Sequence, residues 1–255
     1  MISCIIDAQE KIVAITTNVG TMKAKLYPDV PNHIKTFTER ANKGLFNGTL
    51  FTRVIKDFMI QGGSPDSKNA PAGARVGYGD RSTEISPEFR EHYFAKKGAL
   101  AAPRQNDDIN PKKKSDMSQF FIVQGKVYRP GELDTLQRAK NLPIRRKAMA
   151  EFYTPVRELM DSLKTADPAE YNHYVVDINA KVDSVIHSTP GHLLLSDEQL
   201  EAYSTVGGSH HLDGEYTIFG ELIEGYDVLD KIASQPRDKY DRPKTDIRII
   251  SVKVE

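Results

Sequence analysis

The chain has 255 residues, and its 35 Lys and Arg balance 35 Asp and Glu to a formal net charge of zero. That balance speaks against holding nucleic acid by bulk charge, which needs a surplus of cations facing phosphates. Hydrophobic residues make up 39%, ample for a buried core and too many for a disordered chain, while no apolar run approaches the roughly eighteen residues of a membrane span.

The opening MISCIIDAQEKIV lacks the basic start and apolar stretch of a signal peptide, so a cytoplasmic protein is expected, with a periplasmic or envelope compartment the alternative if a leader precedes it. The single cysteine, Cys4, excludes an internal disulfide framework and a multi-cysteine zinc site. Val13, Ile15 and Thr17 alternate with Ala14 and Thr16. A turn around Gly20 follows, and Met22, Ala24 and Leu26 alternate again, which predicts a hairpin with one wet face. Pro31 suits the first turn of a helix whose Ile34, Phe37 and Ala41 recur at helical spacing and which Gly44 closes. The stretch FNGTLFTRVIKDFMIQGG returns to strand character. A polar, Gly/Pro-rich loop runs from Gly62 to about Gly79, and SQFFIVQG is a further strand.

From about Tyr128 to Val206 the pattern is helical. Ile144, Ala148, Phe152, Val156, Leu159 and Leu163 form one apolar stripe, which Pro155 should kink or split. Asp167-Pro168-Ala169-Glu170 has the form of a helix start, behind which Tyr171, Tyr174, Val175, Ile178, Val182, Val185 and Ile186 keep to one face. A last short helix begins at Ser196, with Gln199 three residues on. Beyond it the chain is α+β again: a tight turn at Asp213-Gly214, a strand from Tyr216 to Leu222, a short helix from Asp227 to Ala233 and a terminal strand through Ile250, Val252 and Val254. The economical organisation is a β-rich domain over 1–125 and 209–255, with 126–208 inserted as a helical block.

Familiar catalytic motifs are missing: no GxSxG elbow, Walker A loop, GxGxxG fingerprint or HExxH helix. His210 and His211, if on an extended strand, would point to opposite faces and chelate poorly, so no metal is expected. The Lys112-Lys113-Lys114 run stands beside Asp107, Asp108 and Asp116 and is best taken as a solvated charge cluster. What stands out is an arginine and two glutamines among apolar residues. Arg53 precedes Phe58, Met59 and Gln61; Gln119 and Phe121 are two apart on a strand and share a face; Leu212 sits just before a turn. Taken segment by segment, the plain alternative is that the apolar members are core and Arg53 is a surface ion-pair partner.

FTRVIKDFMIQGG, GALAAPR, SQFFIVQG and LDGEYTIFGEL, in this order, resemble the signature blocks of the cyclophilin family of peptidyl-prolyl cis-trans isomerases. The similarity spans about Val13 to Gly125 and His210 to Glu255. It implies a mainly β fold with helices, a closed eight-stranded antiparallel barrel capped by two helices with the substrate groove on its outer wall. It also implies an enzyme without cofactor or metal that rotates X-Pro bonds in peptides and in unfolded or folding proteins. By the same resemblance Arg53 is the catalytic arginine, and Phe58, Met59, Phe121 and Leu212 line the proline pocket. Gln61 engages the substrate backbone and Gln119 helps orient the arginine.

Three positions depart from the family pattern. His211 stands where a tryptophan is common, which implies weak cyclosporin binding; Tyr216 replaces a common histidine as pocket wall. Pro103 and Arg104 occupy a backbone-binding block, leaving Arg104 a substrate-binding candidate. The helical block enters after the Phe121 strand and leaves before Leu212, so it either extends the substrate surface or is inert decoration. A module that binds or chaperones proline segments with little turnover is the competing function, and neither nucleic acid nor a membrane is an expected partner.

Overall fold

A computed structural model describes residues 11–255, so the sequence reading of Cys4 lies outside the described residues. The chain divides into two compact units, one formed by the residues up to Val127 together with Ala202–Glu255, the other by Tyr128–Glu201.

In chain order the first unit begins with β1 (Ile12–Thr17) and β2 (Gly20–Leu26), whose alternating buried residues give the expected hairpin. Helix α1 (Pro31–Asn42) follows, then β3 (Phe51–Ile55) and β4 (Met59–Gly62). The short β5 (Glu84–Ile85) pairs with β7 (Ser115–Asp116); between them in sequence lies β6 (Ala99–Ala101), and after them β8 (Phe120–Val123). The second unit holds α2 (Glu132–Tyr153), α3 (Arg157–Ala166) and α4 (Pro168–Ser188). Helix α5 (Asp197–Thr205) leads back to β9 (Ile218–Glu224), α6 (Tyr226–Ala233) and β10 (Ile249–Val254).

Eight strands form one antiparallel sheet in the order β10-β1-β2-β9-β6-β8-β4-β3. The sheet curls until its edges meet: Phe51 N donates to Ile247 O at 2.9 Å and Ile249 N to Thr49 O at 2.8 Å, beside a Leu50–Arg248 bridge. These bonds cover the starts of the two edge strands, where an unpaired edge would template aggregation. Its interior is filled by Phe51, Phe120 and Phe219 with Phe37 from α1, whose rings pack tilted or edge-on at 5.1–6.1 Å. Helices α1 and α6 cap this core with Ile34, Phe37 and Ala41, and with Val228, Leu229 and Ile232. The approach of α6 depends on Gly20, where a Cβ would stand 2.5 Å from Val228.

The second unit has its own core of Ala148, Met160, Ile178, Val182 and Ile186. Asp167 caps α4 by accepting from Ala169 N and Glu170 N, with Pro168 at the first helical position. Ser196 and Gln199 exchange a capping box at the start of α5. The predicted stripe is corrected at Pro155. A 3-10 turn over Thr154–Val156 separates α2 from α3 and resets the helical phase, so Met160 is buried and Leu159 is 45% exposed. Among the described residues no helix is long and apolar enough to cross a membrane.

Candidate active site

Three neighbouring strands build the site. In their register Arg53 on β3 faces Gln61 on β4, which faces Phe121 on β8. Residues directly opposite across antiparallel strands share a face, so these side chains form one row on the outer wall of the barrel. Met59 stands two residues before Gln61 and so joins the same face. The short β3–β4 connection turns through Asp57 at a φ of 62° and projects Phe58 at the end of the row. The Phe58 carbonyl accepts from the backbone N–H groups of Gln124 and Gly125, which fixes the turn to the end of β8.

Met59, Phe121, Leu212 and Ile218, with half-buried Phe58 and Tyr216, form an apolar cluster separate from the barrel interior. They open onto a cavity of about 180 Å³ whose lining includes Arg53, Phe58, Met59, Gln61, Phe121 and Leu212. The plain alternative holds in part: Arg53 is an ion-pair partner of Asp241 and Met59, Phe121 and Leu212 are buried, but alternation along β4 and β8 sends Ile60, Phe120 and Ile122 inward and leaves Met59 and Phe121 in a separate cluster on the outer wall.

Arg53 is tethered through Nε to Asp241 Oδ2 at 3.4 Å, and its Cζ lies 5.9 Å from the centre of the Phe58 ring. Its terminal Nη atoms make no hydrogen bond among the described residues, and Arg53 borders the hollow. Asp241 is itself held by Arg237 at 3.1 Å, and Val54 N donates to its backbone carbonyl at 2.9 Å.

Gln119 makes no hydrogen bond with Arg53. It accepts from Gln61 Nε2 at 3.0 Å and donates to Asp116 Oδ2 at 3.0 Å, so it orients Gln61. The residue that does hold the arginine, Asp241, is far away in sequence and was not identified. Arg104 borders the cavity with four of its five N–H donors engaged: Nε with Glu215 O at 2.7 Å, Nη2 with Glu215 Oε2 at 2.8 Å, and Nη1 with Gln105 O and Asp107. Its guanidinium lies 4.9 Å from the Tyr216 ring centre and braces that ring as a wall, edge-on to Phe121 at 5.5 Å.

Leu212 reaches the hollow from a 3-10 turn over His210–Leu212 rather than from a strand. Asp213 locks this turn, accepting from Ala95 N at 2.7 Å and from Tyr203 Oη on α5 at 2.6 Å. Neither partner was flagged in the sequence, because nothing local links them. His211 does not border the cavity; its ring packs against Phe58 at 5.3 Å. Among the described residues no group of three His, Cys, Asp or Glu side chains could hold a metal ion.

One further constellation has the form of a catalytic relay. His33 Nδ1 lies 2.6 Å from Glu88 Oε2, and Nε2 lies 2.9 Å from Ser115 Oγ. His33 is fully buried and Ser115 is 2% exposed, so no substrate reaches that hydroxyl. The trio ties α1 to β7 and to the loop carrying Glu88.

The family model described as cyclophilin type peptidyl-prolyl cis-trans isomerase/CLD matches residues 12–143 and 178–254, most of the chain. The chain belongs to the cyclophilin family. Among curated relatives of this cyclophilin is a Staphylococcus haemolyticus protein named for peptidyl-prolyl cis-trans isomerase activity. It is 30% identical over 251 residues, covering 98% of this chain and 94% of that one. A crystal structure of a cyclophilin type isomerase from Cryptosporidium parvum shares the fold, with a TM-score of 0.55 at 20% identity over 96% of this chain and 98% of that one. A second structure of that protein, in the presence of the dipeptide Ala-Pro, has a TM-score of 0.54 at the same identity and coverage. Peptidyl-prolyl isomerisation is the activity of the family, and this chain has its fold.

Proposed function

We propose that this cyclophilin rotates X-Pro bonds in peptides and folding chains at the hollow beside Arg53, and that the residues of that row divide the work. The imide bond turns slowly because amide resonance sets a barrier of about 20 kcal/mol. Rotation forms and breaks no bond to the protein. The barrier falls when the twisted imide is bound better than either planar form.

Met59, Phe121 and Leu212 clasp the proline ring and exclude water, holding one side of the bond still. Gln61, oriented by Gln119 and Asp116, hydrogen-bonds the substrate backbone. As the bond turns, the nitrogen lone pair leaves conjugation and becomes an acceptor that the planar amide lacks. The Arg53 fork donates to it, an interaction made only in the twisted state. The observation that carries this reading is the unbonded end of the Arg53 guanidinium at a hollow that Met59, Phe121 and Leu212 also line, with Nε held by Asp241.

Exchange NMR on an Ala-Pro peptide with catalytic amounts of protein tests it. Wild type should produce cis–trans exchange peaks, and Arg53→Ala should lower kcat/KM at least about tenfold, toward the roughly 10²–10³ that loss of one preorganised donor reaches. No exchange with wild type, or full activity in the variant, would overturn the assignment.

A further inference from the structure

A second depression of about 260 Å³ adjoins the hollow on the far side of Arg53 and shares Arg53, Gln61 and Gly77 with it. Thr52, Arg75, Val76, Tyr240 and Asp241 complete its wall. The Arg75 guanidinium lies 5.6 Å from the Tyr78 ring centre and 5.4 Å from that of Tyr240. Stacking on aromatic faces leaves the in-plane N–H donors of an arginine available. Arg75 is exposed and has no carboxylate partner among the described residues.

The neighbouring charges do not compensate it. Arg53, Arg237 and Lys239 are close by, Lys239 Nζ standing 5.1 Å from the Tyr240 ring centre. The acid in the lining, Asp241, is already paired with Arg53 and Arg237. Asp66 accepts from Gly77 N and Tyr78 N and holds the loop that carries Arg75.

The wall is also built to stay in place. Arg242, 2% exposed, donates through Nη1 to Pro71 O at 3.1 Å and Ala74 O at 2.7 Å. It thereby fastens the Arg75 loop to the turn of Tyr240, and Asp238 secures that turn by accepting from Tyr240 N and Arg242 N. A polar, Gly/Pro-rich loop is thus fastened beside the site by a buried cation.

We infer that this depression is a carboxylate subsite, through which the isomerase prefers peptides with an acidic side chain at one fixed distance from the proline. An extended peptide that crosses the hollow continues past Arg53 into it, where the Arg75 fork receives the carboxylate. This inference rests on the isomerase reading above, and its test keeps the two apart.

The test uses the full chain and a series of Ala-Pro peptides in which one residue, at each of four positions on either side of the bond, is Glu or Gln. The readout is the ratio of kcat/KM for Glu over Gln within each protein, which cancels any general loss of activity. Wild type should show a ratio of about three to five at one position, falling toward one in raised salt, as for an exposed charge pair. Arg75→Gln should abolish the preference, and Arg75→Lys should keep only part of it because a point charge lacks the fork. A ratio near one at every position in wild type, or a preference surviving in Arg75→Gln, overturns the subsite. Turnover of the Gln peptides by wild type reports on the isomerase reading by itself.

Discussion

A rotating imide asks an arginine for donors in one place, and the side chains around Arg53 decide whether it supplies them. Asp241 grips the Nε edge, Phe58 underlies the plane, and the Nη atoms are left open. Gln61 is treated in the same way one strand over, through Gln119 and then Asp116. Because that chain acts as a unit, Gln61→Ala and Gln119→Ala should each raise KM several-fold, and the double variant should be little worse than either single one. The non-additivity expected for contacting residues is about 0.5–3 kcal/mol. Steady-state kinetics on the four proteins measures it; fully additive losses would mean that Gln119 does something other than hold Gln61. The main members of the site were legible because they sit in contiguous blocks that resemble the family's signatures; strand spacing by itself placed only Gln119 and Phe121 on one face. Asp241, Asp213 and Tyr203 were not legible, since each acts across a tertiary contact that leaves no periodic trace.

At the level of elements, periodicity served well where a segment lies on one uninterrupted surface. The β1–β2 hairpin, α1 and α4 carry the faces that their alternation or helical spacing predicts. The stripe through Val156 and Leu159 misled because a 3-10 turn changes the rotation per residue and hands burial to Met160. The junction of α1 with β7 carries a pH dependence that no pattern announces. Burial lowers the pKa of His33 despite the opposing pull of Glu88, so the unfolded chain binds that proton more readily than the folded one. Its contribution to stability is complete above the ordinary imidazole value of about 6.5 and is lost as the pH falls below it. Glu88 is pushed up by burial but held lower overall by hydrogen bonds from the His33 ring and from the backbone of His33 and Asn32. Its contribution too is lost on acidification, below the carboxylate range. Denaturant midpoints should therefore fall between pH 7 and pH 5. His33→Gln, able to bond both Glu88 and Ser115, should lose part of that slope. Equal slopes in the two proteins would contradict the account.

Across the whole molecule, hydrophobic burial is divided between cores that share no residue: the barrel interior with its outer-wall cluster, and the helical core of the second unit. The periodicity of the sequence changes near Tyr128, and the compact units divide between Val127 and Tyr128. The return boundary was harder to place, because α5 crosses it and contributes the fully buried Tyr203 to the barrel unit. Within that unit Lys126 and Gly208 exchange backbone hydrogen bonds at 3.0 and 3.2 Å, closing the stem from which the helices leave. Replacing residues 129–195 by a flexible linker, with α5 retained, should give a folded barrel unit whose kcat/KM on a tetrapeptide stays within about threefold of the full chain. Unfolding of the product would show that the two cores depend on one another.

The claim on which the rest depends is that Arg53 binds the half-turned imide and not the resting peptide. Line-shape NMR on an Ala-Pro peptide, comparing wild type with Arg53→Ala, separates the dissociation constants of the cis and trans forms from the rate of their exchange on the protein. A guanidinium that acts only in the twisted state predicts dissociation constants within about twofold of wild type and an on-protein exchange rate lower by at least about tenfold. Weaker binding of both planar forms with an unchanged exchange rate would contradict it.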